Sequence, residues 1–318
     1  MGRLKRILSE SKIEHRKSDL SFKKDFQRNW SLYLFILPVI AFYIIFAYIP
    51  MYGIVIAFKD YSITRGIFGS EWVGLQHFID FFHYPEVGRL FRNTLTISIV
   101  GLVVGTPMPI IFALILNELR WKKYRKVVQT ISIFPHFVSS VVTCTVVRQM
   151  CQSDGLFNQV LGLFGVDPTP LLTVPNAFVW ILQIKGLWQG IGWSSIIYLA
   201  AMAGVDKEIY EAAELDGCSR IQRMWYITIP CIMPTIVLLL IMSVGSLLSV
   251  GSEDILLLYN PSIYETADVI STYTYRKGLI DFDFSYSAAI GLFNSVINVI
   301  LLGIANKIAK TVSETSLF

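Results

Sequence analysis

Long apolar runs, separated by charged or turn-forming stretches, set the pattern of the chain: residues 31–58, 94–119, 127–150, 177–204, 231–251 and 288–308. About 20 apolar residues suffice to cross a hydrocarbon layer as a helix, and each run is long enough. Lipid offers no partner to a backbone amide, so such runs form helices or a closed barrel. Their hydrophobicity is continuous, without the alternation of barrel strands, and predicts six helices. Pro50, Pro107, Pro109 and Pro135 fall within or at the ends of the runs. They predict kinks whose freed backbone groups are met by neighbouring helices or a cavity.

Composition points the same way. Hydrophobic residues are 54% of the 318 and charged ones 16%, against about 25% charged in a soluble domain. So few charges cannot wet two water-facing domains, and the predicted class is an all-α polytopic membrane protein. Six spans put both termini on one side. Lys and Arg number 19 on that side and 7 on the other, with Lys185 left inside a span. The positive-inside bias therefore places both termini in the cytoplasm. Residues 1–29 carry both signs of charge and no apolar signal core, and read as a basic cytoplasmic arm. The arm either lies along an anionic leaflet or is a solvated tail. Topology accounts for the net charge of +4, and no nucleic acid partner is expected.

Enzyme signatures are missing. There is no G-x-S-x-G elbow, no H-E-x-x-H pair and no carboxylate pair within a span. A Walker P-loop needs a Gly-Lys dipeptide, and the chain has none, so any ATP must be bound by another chain. Strings of intramembrane acids, as proton-coupled carriers often use, are also absent. Cys144, Cys151, Cys218 and Cys231 match no metal or disulfide framework, and His15, His77, His83 and His136 are scattered. No metal and no cofactor are expected in this chain.

The most informative segment joins the fourth and fifth runs. Asp206 suits a helix N-cap, and Glu208 adds negative charge in the first turn. Gly217 supplies the left-handed position that ends a helix. Ser219 and Gln222 have the spacing of a capping box that starts a second helix. Two short helices with a sharp bend are predicted. Ala212 and Ala213 give a low profile for another protein to approach. Tyr210 is a candidate to fill a pocket there, with Glu208, Glu211, Glu214 and Asp216 available to basic partners. The same pattern also fits an ordinary solvated hairpin between two spans.

Glu211-Ala212-Ala213, then Gly217, then Ile227, Ile229 and Pro230 resemble the EAA signature E-A-A-x3-G-x9-I-x-L-P of binding-protein-dependent ABC importer permeases. Ile229 stands where that pattern has Leu. Further stretches resemble the carbohydrate branch of LplB-like permeases. They include Leu37-Pro38, Pro50-Met51-Tyr52-Gly53, Trp188 to Trp193, Tyr259-Asn260-Pro261, Thr272 to Arg276 and Tyr286 to Gly291. The resemblance covers nearly all of the chain after the arm.

The resemblance implies a MetI-like type I ABC permease fold of six transmembrane helices with a cytoplasmic coupling-helix loop. It divides the chain into the arm (1–29), a first transmembrane helix (30–58), a five-helix core (90–308) containing the EAA loop (206–230), and a cytoplasmic tail (309–318). Tyr210, Glu211, Ala212, Ala213, Asp216, Gly217 and Pro230 become the ATPase-coupling residues. Implied partners are a second, paralogous permease in a heterodimer, a cytoplasmic ATPase dimer carrying ATP and Mg, an extracytoplasmic sugar-binding protein, an oligosaccharide and membrane lipid. The implied location is the bacterial cytoplasmic membrane. The loop works only by binding the open and closed ATPase states differently.

A sugar path calls for aromatic faces and small polar groups. The helices flanking the EAA loop, which hold the sugar in maltose-transporter relatives, offer Lys185, Trp188, Gln189, Trp193, Ser246 and Ser249 as substrate-path candidates. Ser194, Ser195, Ser243 and Ser252 lie nearby, as do Gly186, Gly190, Gly245 and Gly251. Small residues and serines also serve plain helix packing. Two readings of Lys185 stay open: it faces the path and attracts an acidic sugar, or it snorkels or pairs with Glu253 or Asp254. The outer loops, 59–92 and 253–287, hold Trp72, Phe78, Tyr84, Tyr259 and Tyr264 as a docking surface for the binding protein.

The expected function is the permease subunit of an ATP-driven importer of an oligosaccharide, acidic in one reading. The alternatives are an importer permease for a peptide or amino acid and a stand-alone ion-coupled carrier.

Overall fold

The computed structural model describes residues 22–313, so most of the basic arm and the last residues of the tail lie outside the described residues. The chain divides into two units, one ending at Val55 and one beginning at Ile56.

The first unit is dominated by α1 (Phe22–Tyr43), whose backbone departs from helical angles at Asn29. A π turn over Ile44–Tyr48 follows, closed by the Ile49 N–H donating to the Ile44 carbonyl. Pro50 comes next. Proline lacks an N–H and its ring crowds the carbonyl four residues back, and a widened turn relieves that crowding.

The second unit opens with a small antiparallel pair, β1 (Lys59–Asp60) against β2 (Glu71–Trp72). After it come α2 (Gln76–His83), α3 (Val87–Gly105) and α4 (Pro107–Glu118), the last two meeting at a break beside Pro107 and Pro109. Next are α5 (Lys122–Ile133) and α6 (Ser140–Met150). The long α7 (Pro175–Ala203) leads into two short helices, α8 (Lys207–Leu215) and α9 (Arg220–Arg223). Then α10 (Ile229–Gly245), α11 (Ser252–Leu258), α12 (Ile270–Tyr275) and α13 (Phe284–Ser313) complete the unit.

Among the described residues, Asp25–Phe58, Val87–Glu118, Arg220–Gly245 and Phe284–Thr311 are long and apolar enough to cross a membrane. The third expected span, 127–150, is not one helix. Its place is taken by Lys122–Phe137 and Ser140–Met150, bent by 98°. Pro135 sits in the 3-10 turn that ends the first arm, and the Ser139 side chain accepts the Val142 N–H to cap the second. The fifth expected span, 231–251, is also interrupted, because α10 stops at Gly245 and helix resumes only at Ser252. α7 has 29 residues, about 43 Å at 1.5 Å per residue. Gln183, Lys185, Gln189 and Ser194 make it less apolar than the four spans above.

α7 is the central post. Its Phe178 and Leu182 join Ile97 of α3, Cys144 and Val147 of α6 and Ile255 of α11 in one core cluster. Its Tyr198, Leu199 and Met202 join Ala113 and Leu116 of α4 and Ile232 of α10 in another. A third cluster, Phe81, Leu90, Ile270, Tyr273, Tyr286 and Ile290, ties α2, α3, α12 and α13 together. Gly192 lets α7 touch the chain at the end of α5: a Cβ there would collide with the Ser132 carbonyl.

Candidate functional site

The interruption between Gly245 and Ser252 would leave backbone groups unpaired in an apolar setting, at several kcal/mol each. Neighbouring helices satisfy them. Ser98 of α3 donates its hydroxyl to the Leu247 carbonyl. From α13, Asn298 accepts the Leu248 N–H at 3.1 Å and donates to the Ser249 hydroxyl at 2.8 Å, while Asn294 donates to the Leu248 carbonyl at 3.2 Å. Ser271 donates to the Val250 carbonyl at 3.2 Å.

The unwound segment faces a cleft of about 420 Å³, lined among others by Ser98, Gln183, Gly186, Ser243, Ser246 and Asp254. A second cleft of about 530 Å³ shares Gly105, Thr106, Ser243 and Ser246 with the first and extends along α7 to Trp193, Ser194 and Ile197. Together they form one furrow along α3, α7 and α10, in which hydroxyl and amide groups are set among apolar side chains such as Leu102, Leu182 and Leu239. Trp193 is 46% exposed and stacks on His136 at 4.5 Å between ring centres, which fixes its plane. Gly186 and Gly190 have no atom within 4 Å of where a Cβ would sit, so within this chain they open space instead of packing helices.

The sequence-predicted path residues separate. Ser246 and Trp193 line the furrow. Trp188 lines a different, almost wholly apolar pocket of about 740 Å³ with Val146, Met150, Phe157 and Ile184. Gln189 donates to the Val138 carbonyl at 2.9 Å and so serves the bend between α5 and α6. The Ser249 hydroxyl is taken by Asn298. Lys185 is buried, its side chain 1% exposed, and its Nζ lies 2.6 Å from Oδ1 of Asp254, whose side chain is 30% exposed. The ammonium thus meets the furrow only through Asp254. Gln183 and Asp254 were missed as lining residues. Gln183 precedes Gly186 by one helical turn and Gly190 by two, which is the signal that finds it.

In the loop between α7 and α10 the local chemistry matches its residues. The Asp206 side chain accepts the Glu208 N–H at 3.0 Å, and Ser219 with Gln222 forms a capping box. Gly217 has φ 77°. Its N–H reaches the Glu214 carbonyl and the Cys218 N–H the Ala213 carbonyl, at 3.1 and 3.0 Å, the paired bonds of a Schellman ending. Arg223 pairs with Glu214 across the bend. Glu211, Ala212 and Asp216 are exposed, whereas Ala213 is buried. Tyr210 does not point away: its hydroxyl meets that of Thr228 at 2.9 Å. Pro230 follows a π turn over Met224–Thr228. Leu215, which sequence reasoning passed over, is 90% exposed.

The loops 59–92 and 253–287 use most of their aromatics internally. Phe78 packs on Phe58, Tyr84 stacks on Tyr273 at 4.9 Å, and Tyr259 stacks on Tyr264 at 5.1 Å. Only Trp72 of the five candidate docking aromatics is exposed. Arg276 donates to both oxygens of buried Asp268, at 2.8 and 2.6 Å, and lies 4.8 Å over the Tyr264 ring. Burial opposes its charge, but the hydrogen bonds it donates to Asp268 and Tyr259 outweigh that and hold its pKa above the usual value. Burial, then the Glu86 hydrogen bond, pushes the Tyr84 phenol up to about 12.

Residues 105–314 match the family described as the binding-protein-dependent transport system inner membrane component. The chain belongs to this family. It is therefore a multi-pass membrane permease, and its fold is the MetI-like type I ABC permease fold. The permease is 43% identical to the polygalacturonan/rhamnogalacturonan transport system permease protein YteP of Bacillus subtilis, over 90% of each chain. It is 40% identical to LplB of the same organism over 94% of each chain. Among solved structures it resembles a chain of a bacterial ABC transporter that imports the acidic polysaccharide alginate. That match has a TM-score of 0.84 and 42% identity, and covers 91% of this permease and 98% of that chain. The alginate transporter in complex with its pentasaccharide-bound periplasmic protein gives a TM-score of 0.85 and 41% identity, over 93% and 99%.

Proposed function

We propose that this permease is one of two membrane subunits of an ATP-driven importer that takes acidic oligosaccharides from an extracytoplasmic binding protein. The observation that carries the reading is the furrow opened by the unwound segment 246–251, where hydroxyl and amide groups from three helices gather beside an exposed tryptophan. Such a surface suits sugar hydroxyls and a pyranose face. The polygalacturonan, rhamnogalacturonan and alginate systems of its relatives support the acidic class.

In this reading six helices span the cytoplasmic membrane, α7 and the bent pair α5–α6 among them, with both termini in the cytoplasm. A paralogous permease completes the furrow. The α8–α9 loop docks on an ATPase dimer that binds ATP and Mg, with Glu211, Ala212 and Leu215 as its exposed face, and the permease itself has no catalytic residue. Asp216 and Gly217 shape the loop, Tyr210 and Ala213 brace it from behind, and Pro230 marks the entry into α10.

The test is reconstitution of the assembled importer in liposomes with trigalacturonate or trimannuronate and the loaded binding protein. Uptake with stimulated ATP hydrolysis supports the reading. Leu215→Asp, an exposed position, should release the ATPase from the purified complex without altering the permease's own melting. Uptake by the permease alone, without any ATPase, would overturn it in favour of a stand-alone carrier.

A further inference from the structure

Among the described residues, Asp254 is the only ionisable one lining the 420 Å³ cleft. A bare carboxylate there would repel any sugar acid entering the furrow. Its charge is answered from behind. Lys185, with 1% of its side chain exposed, places Nζ 2.6 Å from Oδ1 of Asp254. The Cys144 thiol lies 3.6 Å from the same oxygen. Oδ2 makes no hydrogen bond to any described residue, and the side chain keeps 30% of its surface open. The Lys185 stem runs along the apolar pocket of Trp188, which gives the ammonium no water to turn to. Other charges nearby are occupied or turned away: Arg148 donates to the Leu257 carbonyl, and exposed Glu253 does not line the cleft.

We propose that Lys185 is a built-in counter-charge. By cancelling Asp254 it leaves the furrow wall a strong acceptor for sugar hydroxyls that carries no net charge, so uronate chains pass without repulsion. The inference rests on the acidic-oligosaccharide reading. It assigns Lys185 no contact with sugar and makes Asp254 the residue that touches it. A cation that bound uronates directly would hold them. A cancelled pair lets them through, which is what a path requires.

The experiment measures uptake of trigalacturonate and of its neutral methyl ester per assembled importer, with the same binding protein in every arm. Lys185→Met leaves Asp254 uncompensated. Like charges roughly 6 Å apart in a half-wet cleft lower uronate uptake by about tenfold, and the ester is affected much less. Adding Asp254→Asn to Lys185→Met restores most of the uronate uptake. Ser246→Asp leaves the pair intact and places a lone carboxylate on the same wall. It should show the same selective loss, and it decides the matter if Lys185→Met does not assemble. The proposal is overturned if Lys185→Met or Ser246→Asp takes up trigalacturonate at the wild-type rate, or if the double variant stays as low as the single one. A wild-type importer that takes up no uronate, while its ATPase ignores the loaded binding protein, overturns the substrate reading instead.

Discussion

The Tyr210 hydroxyl lies 2.9 Å from the Thr228 hydroxyl, 18 residues further on, and joins the middle of α8 to the π turn that enters α10. Thr228 is buried, so the bond ties the α8–α9 loop to the helix that bears Ser243 and Ser246. Tyr210→Phe removes only this bond, worth about 1 kcal/mol. Basal ATP hydrolysis should stay as it is, while stimulation by loaded binding protein falls by up to about fivefold. Assay of both rates on one preparation checks this.

Gly192 and Gly190 should respond in opposite ways to the same substitution. Gly192→Ala drives a methyl into the Ser132 backbone and should cost on the order of 1–3 kcal/mol, seen as a lower melting temperature and a poor yield of complex. Gly190→Ala meets nothing within 4 Å. It should leave melting unchanged and slow uptake by filling the space of about 110 Å³ that Gly190 lines with Gln183, Gly186 and Ser194 of the furrow.

Asn298 makes two hydrogen bonds to the unwound segment, at 3.1 and 2.8 Å. Asn298→Ala should destabilise the permease by about 1–3 kcal/mol, because the freed Leu248 N–H has little access to water. Hydrogen exchange at Leu248 should rise well above that at neighbouring α10 amides, which keep their helical partners.

Alkali should loosen the layer around Tyr84. Its pKa is raised to about 12, whereas an unfolded tyrosine ionises near about 10. A raised folded pKa means that the protonated phenol is favoured by the fold. That contribution is complete below about pH 10 and is lost as pH climbs towards about 12. Tyrosinate absorbance followed through this window should show a late step that Tyr84→Phe removes, with melting falling over the same range in the wild type.

Local signals in the sequence proved readable and long-range ones did not. Asp206, Gly217, Ser219 and Gln222 act within a few residues of themselves, so spacing alone predicts the helix ends that form. The break after Gly245 was hidden. Leu247, Leu248 and Val250 keep the stretch apolar, while the groups that permit it to unwind, Ser98, Asn294 and Asn298, come from α3 and α13. Pro135 marked a kink, but the bond that holds the bend from α7, Gln189 donating to the Val138 carbonyl, joins residues 51 apart. Trp188 and Trp193 looked like one aromatic pair in sequence. Five residues turn a helix by about 500°, so they stand about 140° apart and serve different faces. Lys185 was expected either to attract substrate or to find a carboxylate, and the fold supplies Asp254, 69 residues away.

The π turn before Pro230 carries one further consequence. Its closing bond runs from the Ile229 N–H to the Met224 carbonyl, five residues back, so it holds one residue more than an α turn. An α turn sweeps nearly the same angle with one residue fewer. Deleting a single residue from Met224–Thr228 would therefore convert the widened turn into an α turn and leave Ser243 and Ser246 close to their places in the furrow. The same deletion further along α10, between Pro230 and Ser243, would swing both serines by about 100°.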